Sequence, residues 1–172
     1  MFKNRILLFH LITALVVIIW GTTFVSTKVL IKNGLGPIEI MFYRFVLAYF
    51  CLLMVSHKRL WADNWKDEFM LMLSGLTGGT FYFIAENTAL GITQASNVAL
   101  LVCTTPIFTA LLVHWIFKEP LRRNMIIGSI IALIGVGLVV FSGSVLLQIK
   151  PLGEFLSIMA ALMWAVYCLI LK

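Results

Sequence analysis

Six apolar stretches, at about 7–31, 38–55, 69–90, 95–117, 125–141 and 152–171, take up most of this chain. A helix that crosses a hydrocarbon core of about 30 Å needs about 20 mainly apolar residues, at a rise of about 1.5 Å each. Each stretch meets that length to within a few residues. None alternates polar with apolar residues as a membrane barrel strand would. The sequence therefore predicts an all-α polytopic membrane protein. Composition points the same way: 62% of the residues are hydrophobic, 12% are charged and the mean hydropathy is +1.05, too apolar for an ordinary water-facing surface.

Basic residues set the expected orientation. With a cytoplasmic N-terminus, Lys3, Arg5, Lys58, Arg59, Lys66, Lys118, Arg122, Arg123 and Lys172 lie inside, and only Lys32 and Lys150 fall in outer loops. The net charge of +6 is then a matter of topology, and a nucleic-acid partner is excluded because no soluble face carries a basic stripe. Lys3 and Arg5 precede an apolar run too long for a signal peptide, and Trp20-Gly21-Thr22-Thr23-Phe24 offers no small-residue cleavage site. The loop from His57 to Glu68 carries Trp61 and Trp65 among Lys58, Arg59 and Lys66, a pattern suited to the inner headgroup region. Cys51, Cys103 and Cys168 fall inside spans with no CxxC spacing and no nearby histidine ligands, so neither a metal nor a cofactor is expected.

A weak internal repeat is also present. Trp20 is followed by Lys28, and at an offset of 144 Trp164 is followed by Lys172. Five spans separate the two copies, and an odd number inverts the second in the membrane. Inverted repeats with a site between them near the midplane are a common construction of secondary transporters. Residues 1–143 are thus expected to form a first five-helix repeat, and 151–172 the opening helix of a second.

Ionisable residues inside spans are costly and usually face a bundle interior or a wet cavity. Lys28, Arg44 and Glu86 qualify, and their estimated depths differ by only a few ångströms, so they are expected to be able to converge. Together they would suit an anionic substrate group, with Glu86 neutralising one cation. Alternatively Glu86 would bind and release a proton as a cavity opens to either side, and a static Arg44 to Glu86 pair with Lys28 reaching the headgroups is the structural alternative. Trp20, Thr23 and Thr27 share one helical face that can line a small-molecule site or simply bond its own backbone. Thr105 and Pro106 sit near mid-depth in the fourth span, where the proline removes a backbone donor and frees the carbonyl of Val102. Gly75 with Gly79, and Gly128 with Ala132, have the four-residue spacing of close helix approach, and Gly135 and Gly137 thin the fifth span.

These residues resemble a known family. Trp20-Gly21-Thr22-Thr23-Phe24 with Lys28, then Pro37 and Arg44, is similar to the first two helices of EamA-type transporters of the drug/metabolite transporter superfamily. The resemblance continues through Ala89-Leu90, Ala95-Ser96, Pro106-Ile107-Phe108-Thr109-Ala110, Lys118-Glu119, and Gly128 with Gly135. It implies ten helices in two inverted repeats, a central cavity, a multi-pass place in a bacterial inner membrane, and a small-molecule substrate carried by alternating access. Glu119 matches a loop glutamate read as structural. Glu86-Asn87 departs from the more apolar pattern expected of relatives, which brings proton coupling or a distinctive substrate within reach. At 172 residues the chain is expected to be a piece of such a carrier, truncated after one repeat and one helix; if it is complete, a homodimer must close the site. The alternatives are a non-transporting or inactive membrane protein and a dimeric small multidrug or lipid-carrier-like subunit, whose usual acidic residue in the first helix is absent. No nucleophile with a base, aspartate pair or HExxH motif suggests an enzyme.

Overall fold

The computed structural model describes residues 2–55, 62, 64–121, 123–142 and 150–172, and helix is the regular structure found among them. Among the described residues five helices are long and apolar enough to cross a membrane, Ile6–Lys32, Pro37–Val55, Trp65–Ile92, Ala95–Phe117 and Pro151–Ile170, while the span expected at 125–141 is represented by the shorter apolar stretch Arg123–Gly135. Helix α1 (Phe2–Lys32) is 31 residues long, about 46 Å at the α-helical rise, so it spans a bilayer with length to spare. Helix α2 covers Pro37–Val55, and the third span runs without interruption through α3 (Trp65–Ser74), a π-helical segment (Gly75–Phe81) and α4 (Tyr82–Ile92). The fourth span is broken into α5 (Ala95–Val102) and α6 (Thr105–Phe117), followed by α7 (Arg123–Ser142) and α8 (Pro151–Ile170).

The turn between α1 and α2 shows how local chemistry sets the boundaries. Leu35 N–H donates to Leu30 O at 3.2 Å and Gly34 N–H to Ile31 O at 3.1 Å, with Gly34 at φ 96°, the paired bonds of a Schellman stop that requires a left-handed residue. Two residues on, Gly36 N–H donates to Glu39 Oε2 at 2.8 Å. Pro37 takes the first helical position, where its missing N–H costs nothing. The fourth span breaks as its proline dictates. Thr105 Oγ1 donates to Val102 O at 2.7 Å, satisfying a carbonyl that Pro106 cannot reach, and Thr104 Oγ1 donates to Leu101 O at 2.6 Å.

Helix α8 occupies the middle of the bundle, packed on α4, α5, α6 and the π-helical segment. Its buried side is made of small residues: Gly153, Ser157, Ala160, Ala161 and Ala165. Small side chains let backbones approach closely, which supplies helix association in lipid where the hydrophobic effect does not. Close approach also occurs at Gly78, against Tyr167 of α8, and at Gly79, whose missing side chain would meet Phe45 at 3.4 Å. Gly75, Gly128, Gly135 and Gly137 have no such neighbour within 4 Å among the described residues. Ala89, Leu90 and Val98 form the fully buried core, flanked by Phe24, Ile31, Ala95, Val102 and Leu156. Large apolar side chains on α1, α2 and α7 are exposed, as lipid-facing surfaces should be. Half of the headgroup loop expected at His57 to Glu68, including Trp61, lies outside the described residues; Trp65, at the start of α3, is 90% exposed.

Candidate functional site

The first two turns of α4 carry three buried polar residues, Tyr82, Glu86 and Asn87. The π-helical segment ends at Phe81, and the α-helix that follows presents Tyr82 and Glu86 four residues apart on one face. The Tyr82 hydroxyl donates to Glu86 Oε1 at 2.6 Å, and the two residues are 1% and 4% exposed. Asn87, also buried, donates through Nδ2 to Pro37 O at 3.0 Å, which ties α4 to the start of α2. Its Oδ1 and both amide atoms of buried Asn97 have no hydrogen-bond partner among the described residues.

Aromatic rings extend from this pair in two directions. Tyr82 lies 4.9 Å from Trp164 of α8 between ring centroids, and Trp164 lies 5.2 Å from Trp20 of α1 and 5.0 Å from Tyr167. On the other side Tyr82 meets Phe83 edge-on at 4.9 Å, and Phe83 meets Phe45 of α2 edge-on at 5.5 Å. A continuous path of rings therefore links α1, α8, α4 and α2 through the membrane interior.

Arg44 stands at the α2 end of that path. Its guanidinium carbon lies 4.7 Å from the centre of the Phe83 ring, a cation–π distance. It does not pair with Glu86: the one ion pair among the described residues joins Lys172 Nζ to Glu119 Oε1 at 2.6 Å, where Lys172 also lies 4.8 Å from the Phe117 ring centre. Beside Arg44 is a partly open cavity of about 140 Å³ lined by Met41, Arg44, Phe45, Ala48 and Phe83.

Of the residues singled out in the sequence, the structure gathers some and separates others. Arg44 lies over Phe83, whose ring meets that of Tyr82, the hydrogen-bond partner of Glu86. Lys28 does not join them; its Nζ donates to the carbonyls of Leu90 and, at 2.7 Å, Thr93, and so caps the C-terminal end of α4, where a cation complements the helix dipole. A similar depth was expected of all three, but depth says nothing of direction around a helix, and α1 turns Lys28 to the end of α4. Thr23 Oγ1 donates to Trp20 O at 2.6 Å, the backbone-bonding alternative, whereas Thr27 is buried. Thr105 and Pro106 mark the break in the fourth span. Tyr82, Phe83, Phe45 and Trp164 belong to the site and were not singled out for it. The four-residue spacing of Tyr82 and Glu86 was a readable signal for their bond; nothing in the sequence placed Phe45 against Phe83.

Fold and site together define a multi-pass α-helical membrane protein with a polar pair and a cavity between its helices. The family model of the EamA-like transporter family matches residues 7–141, and the chain belongs to that family. It is similar to an uncharacterized transporter of Archaeoglobus fulgidus, 32% identical over 163 residues, covering 92% of this chain and 55% of the relative. An uncharacterized transporter of Clostridium kluyveri is 28% identical over 174 residues, covering 96% and 55%. The uncharacterized transporter YdfC of Bacillus subtilis is 30% identical over 131 residues, covering 74% and 42%. The chain spans about half the length of the curated relatives it matches. No solved structure matches it.

Proposed function

We propose that this chain lines the substrate cavity of a secondary carrier that moves small metabolites across the cell membrane by alternating access. The observation that carries this is the buried Tyr82–Glu86 pair inside the membrane, joined by Phe83 to Arg44 and its cavity. Charged groups at that depth are expensive unless they serve a site.

We assign residues 1–143 to a first five-helix repeat and 151–172 to the first helix of an inverted second one. The contact of Trp20 with Trp164 supports this assignment, because residues related by a two-fold axis touch their own equivalents only beside the axis. Lys28 and Lys172 support it too, since Lys28 caps the α4–α5 turn and Lys172 pairs at the other end of the bundle, beyond α6. Glu86 is the group we assign to proton coupling. It is a carboxyl with one oxygen bonded to Tyr82, in a place where opening of the cavity would change its contact with water.

The test is flux from proteoliposomes loaded with a defined mixture of amino acids, nucleosides, sugars and organic acids. Mass spectrometry of the outside medium is expected to show one chemical class leaving faster than from protein-free vesicles, driven by a pH gradient in the native protein and independent of it in E86Q. Equal leakage of every solute from both vesicle types would overturn the carrier assignment.

A further inference from the structure

We infer that the cavity beside Arg44 takes a small organic monoanion with an apolar body the size of one ring, held through a carboxylate. This rests on the carrier assignment above and names the class of ligand for the same site. The cavity wall has one charged member, Arg44, among Met41, Phe45, Ala48 and Phe83. Glu86 is not part of that wall; it is buried behind Tyr82 and already accepts the hydroxyl of that residue. Among the described residues lining the cavity Arg44 is thus the charged one, with the Glu86 carboxyl near enough to act on it electrostatically from behind Tyr82.

Arg44 also lacks a protein acceptor. A guanidinium carries five N–H donors in a planar fork, and among the described residues no carboxylate or carbonyl receives any of them; the contact it makes is with the face of the Phe83 ring. A cation–π contact uses the flat face of the guanidinium and leaves the donor edge free. Donors left without partners inside a membrane span are costly, so a complementary acceptor is the expected occupant. A carboxylate fits the fork with two parallel hydrogen bonds. A second cation, which a phosphate dianion would call for, is not among the described residues that line the wall.

The cavity is partly open and about 140 Å³, room for an apolar group about the size of a benzene ring, which fits an enclosed cavity of about 150 Å³. Phe45 and Phe83, edge to face at 5.5 Å, offer a wall for a planar or branched apolar group, and Met41 supplies an adaptable side chain. Benzoate is the simplest probe with these properties. Anionic lipid headgroups share the charge, and the experiment separates the two sources.

The full 172-residue chain in nanodiscs of zwitterionic lipid is dialysed to equilibrium with labelled benzoate, with benzyl alcohol, benzylamine and acetate as competitors. Benzoate is expected to bind, and only unlabelled benzoate should displace it efficiently; R44Q should bind about 10- to 100-fold more weakly, and R44K in between. A48F keeps the charge, fills the cavity and should also lose benzoate, which decides the matter if R44Q fails to fold. Benzoate binding that survives A48F, or displacement by benzyl alcohol as good as by benzoate, overturns the inference. So does loss of benzoate binding in discs containing phosphatidylglycerol, which identifies a lipid headgroup as the occupant. Binding without any flux from vesicles would sink the carrier assignment and leave the ligand class standing.

Discussion

Replacing Gly78 by alanine tests the seam between the π-helical segment and α8. A methyl carbon at Gly78 would stand 2.5 Å from Tyr167 Cδ2 and 3.0 Å from Tyr167 Cβ. Carbon atoms in favourable contact lie about 3.5–4.0 Å apart, so the overlap is about 1 Å and involves the base of the side chain as well as the ring. Tyr167 cannot swing away freely, because its ring also packs on Trp164 at 5.0 Å. Forcing extra volume into such a contact costs about 1–3 kcal/mol. Reversible denaturation of G78A in detergent micelles, followed by tryptophan fluorescence, should show that loss. In a Y167A background, where the obstructing ring is gone, the penalty should shrink by at least half. A G78A protein as stable as the native one, or an equal penalty in both backgrounds, would refute the placement of α8 against this segment.

Three further outcomes are expected. Y82F removes the one protein hydrogen bond found on the Glu86 carboxyl and should destabilise the protein by about 1–3 kcal/mol in the same denaturation assay, while Y167F should change stability by less. K28M frees the carbonyls of Leu90 and Thr93, and amide hydrogen exchange should quicken in the α4–α5 turn while α7 stays unchanged. E119Q should lower stability by less than about 1 kcal/mol, since both partners of its ion pair with Lys172 are exposed, and raised salt should shrink even that difference.

The sequence carried the helices well because a membrane span is written as length and apolarity, and both can be read residue by residue. It carried the break in the fourth span for the same reason: Pro106 cannot donate, and the carbonyl of Val102 had to find another partner, which is Thr105. The π-helical segment was not legible, since moving the backbone hydrogen bonds from i→i+4 to i→i+5 leaves composition untouched. That shift has a consequence at the glycines. Gly75 and Gly79 had the spacing of a close contact, yet the tightest approach falls on Gly78, outside that spacing. The site was legible in part. Burial cost marked Arg44 and Glu86 as functional candidates, but depth alone could not show that α1 turns Lys28 toward the end of α4 and away from them. Phe83, which stands between the guanidinium and the buried Tyr82–Glu86 pair, looks in the sequence like any other apolar residue of a span.

The central claim is that the Arg44 cavity faces each side of the membrane in turn. Ala48 lines that cavity, and a cysteine there, in a protein with Cys51, Cys103 and Cys168 replaced, reports its exposure. In vesicles of uniform orientation, a membrane-impermeant thiol reagent added to either side should label Ala48→Cys, with a transported solute shifting the balance between the two rates. Labelling from one side alone, whatever the solute, would contradict alternating access and leave a static membrane protein in its place.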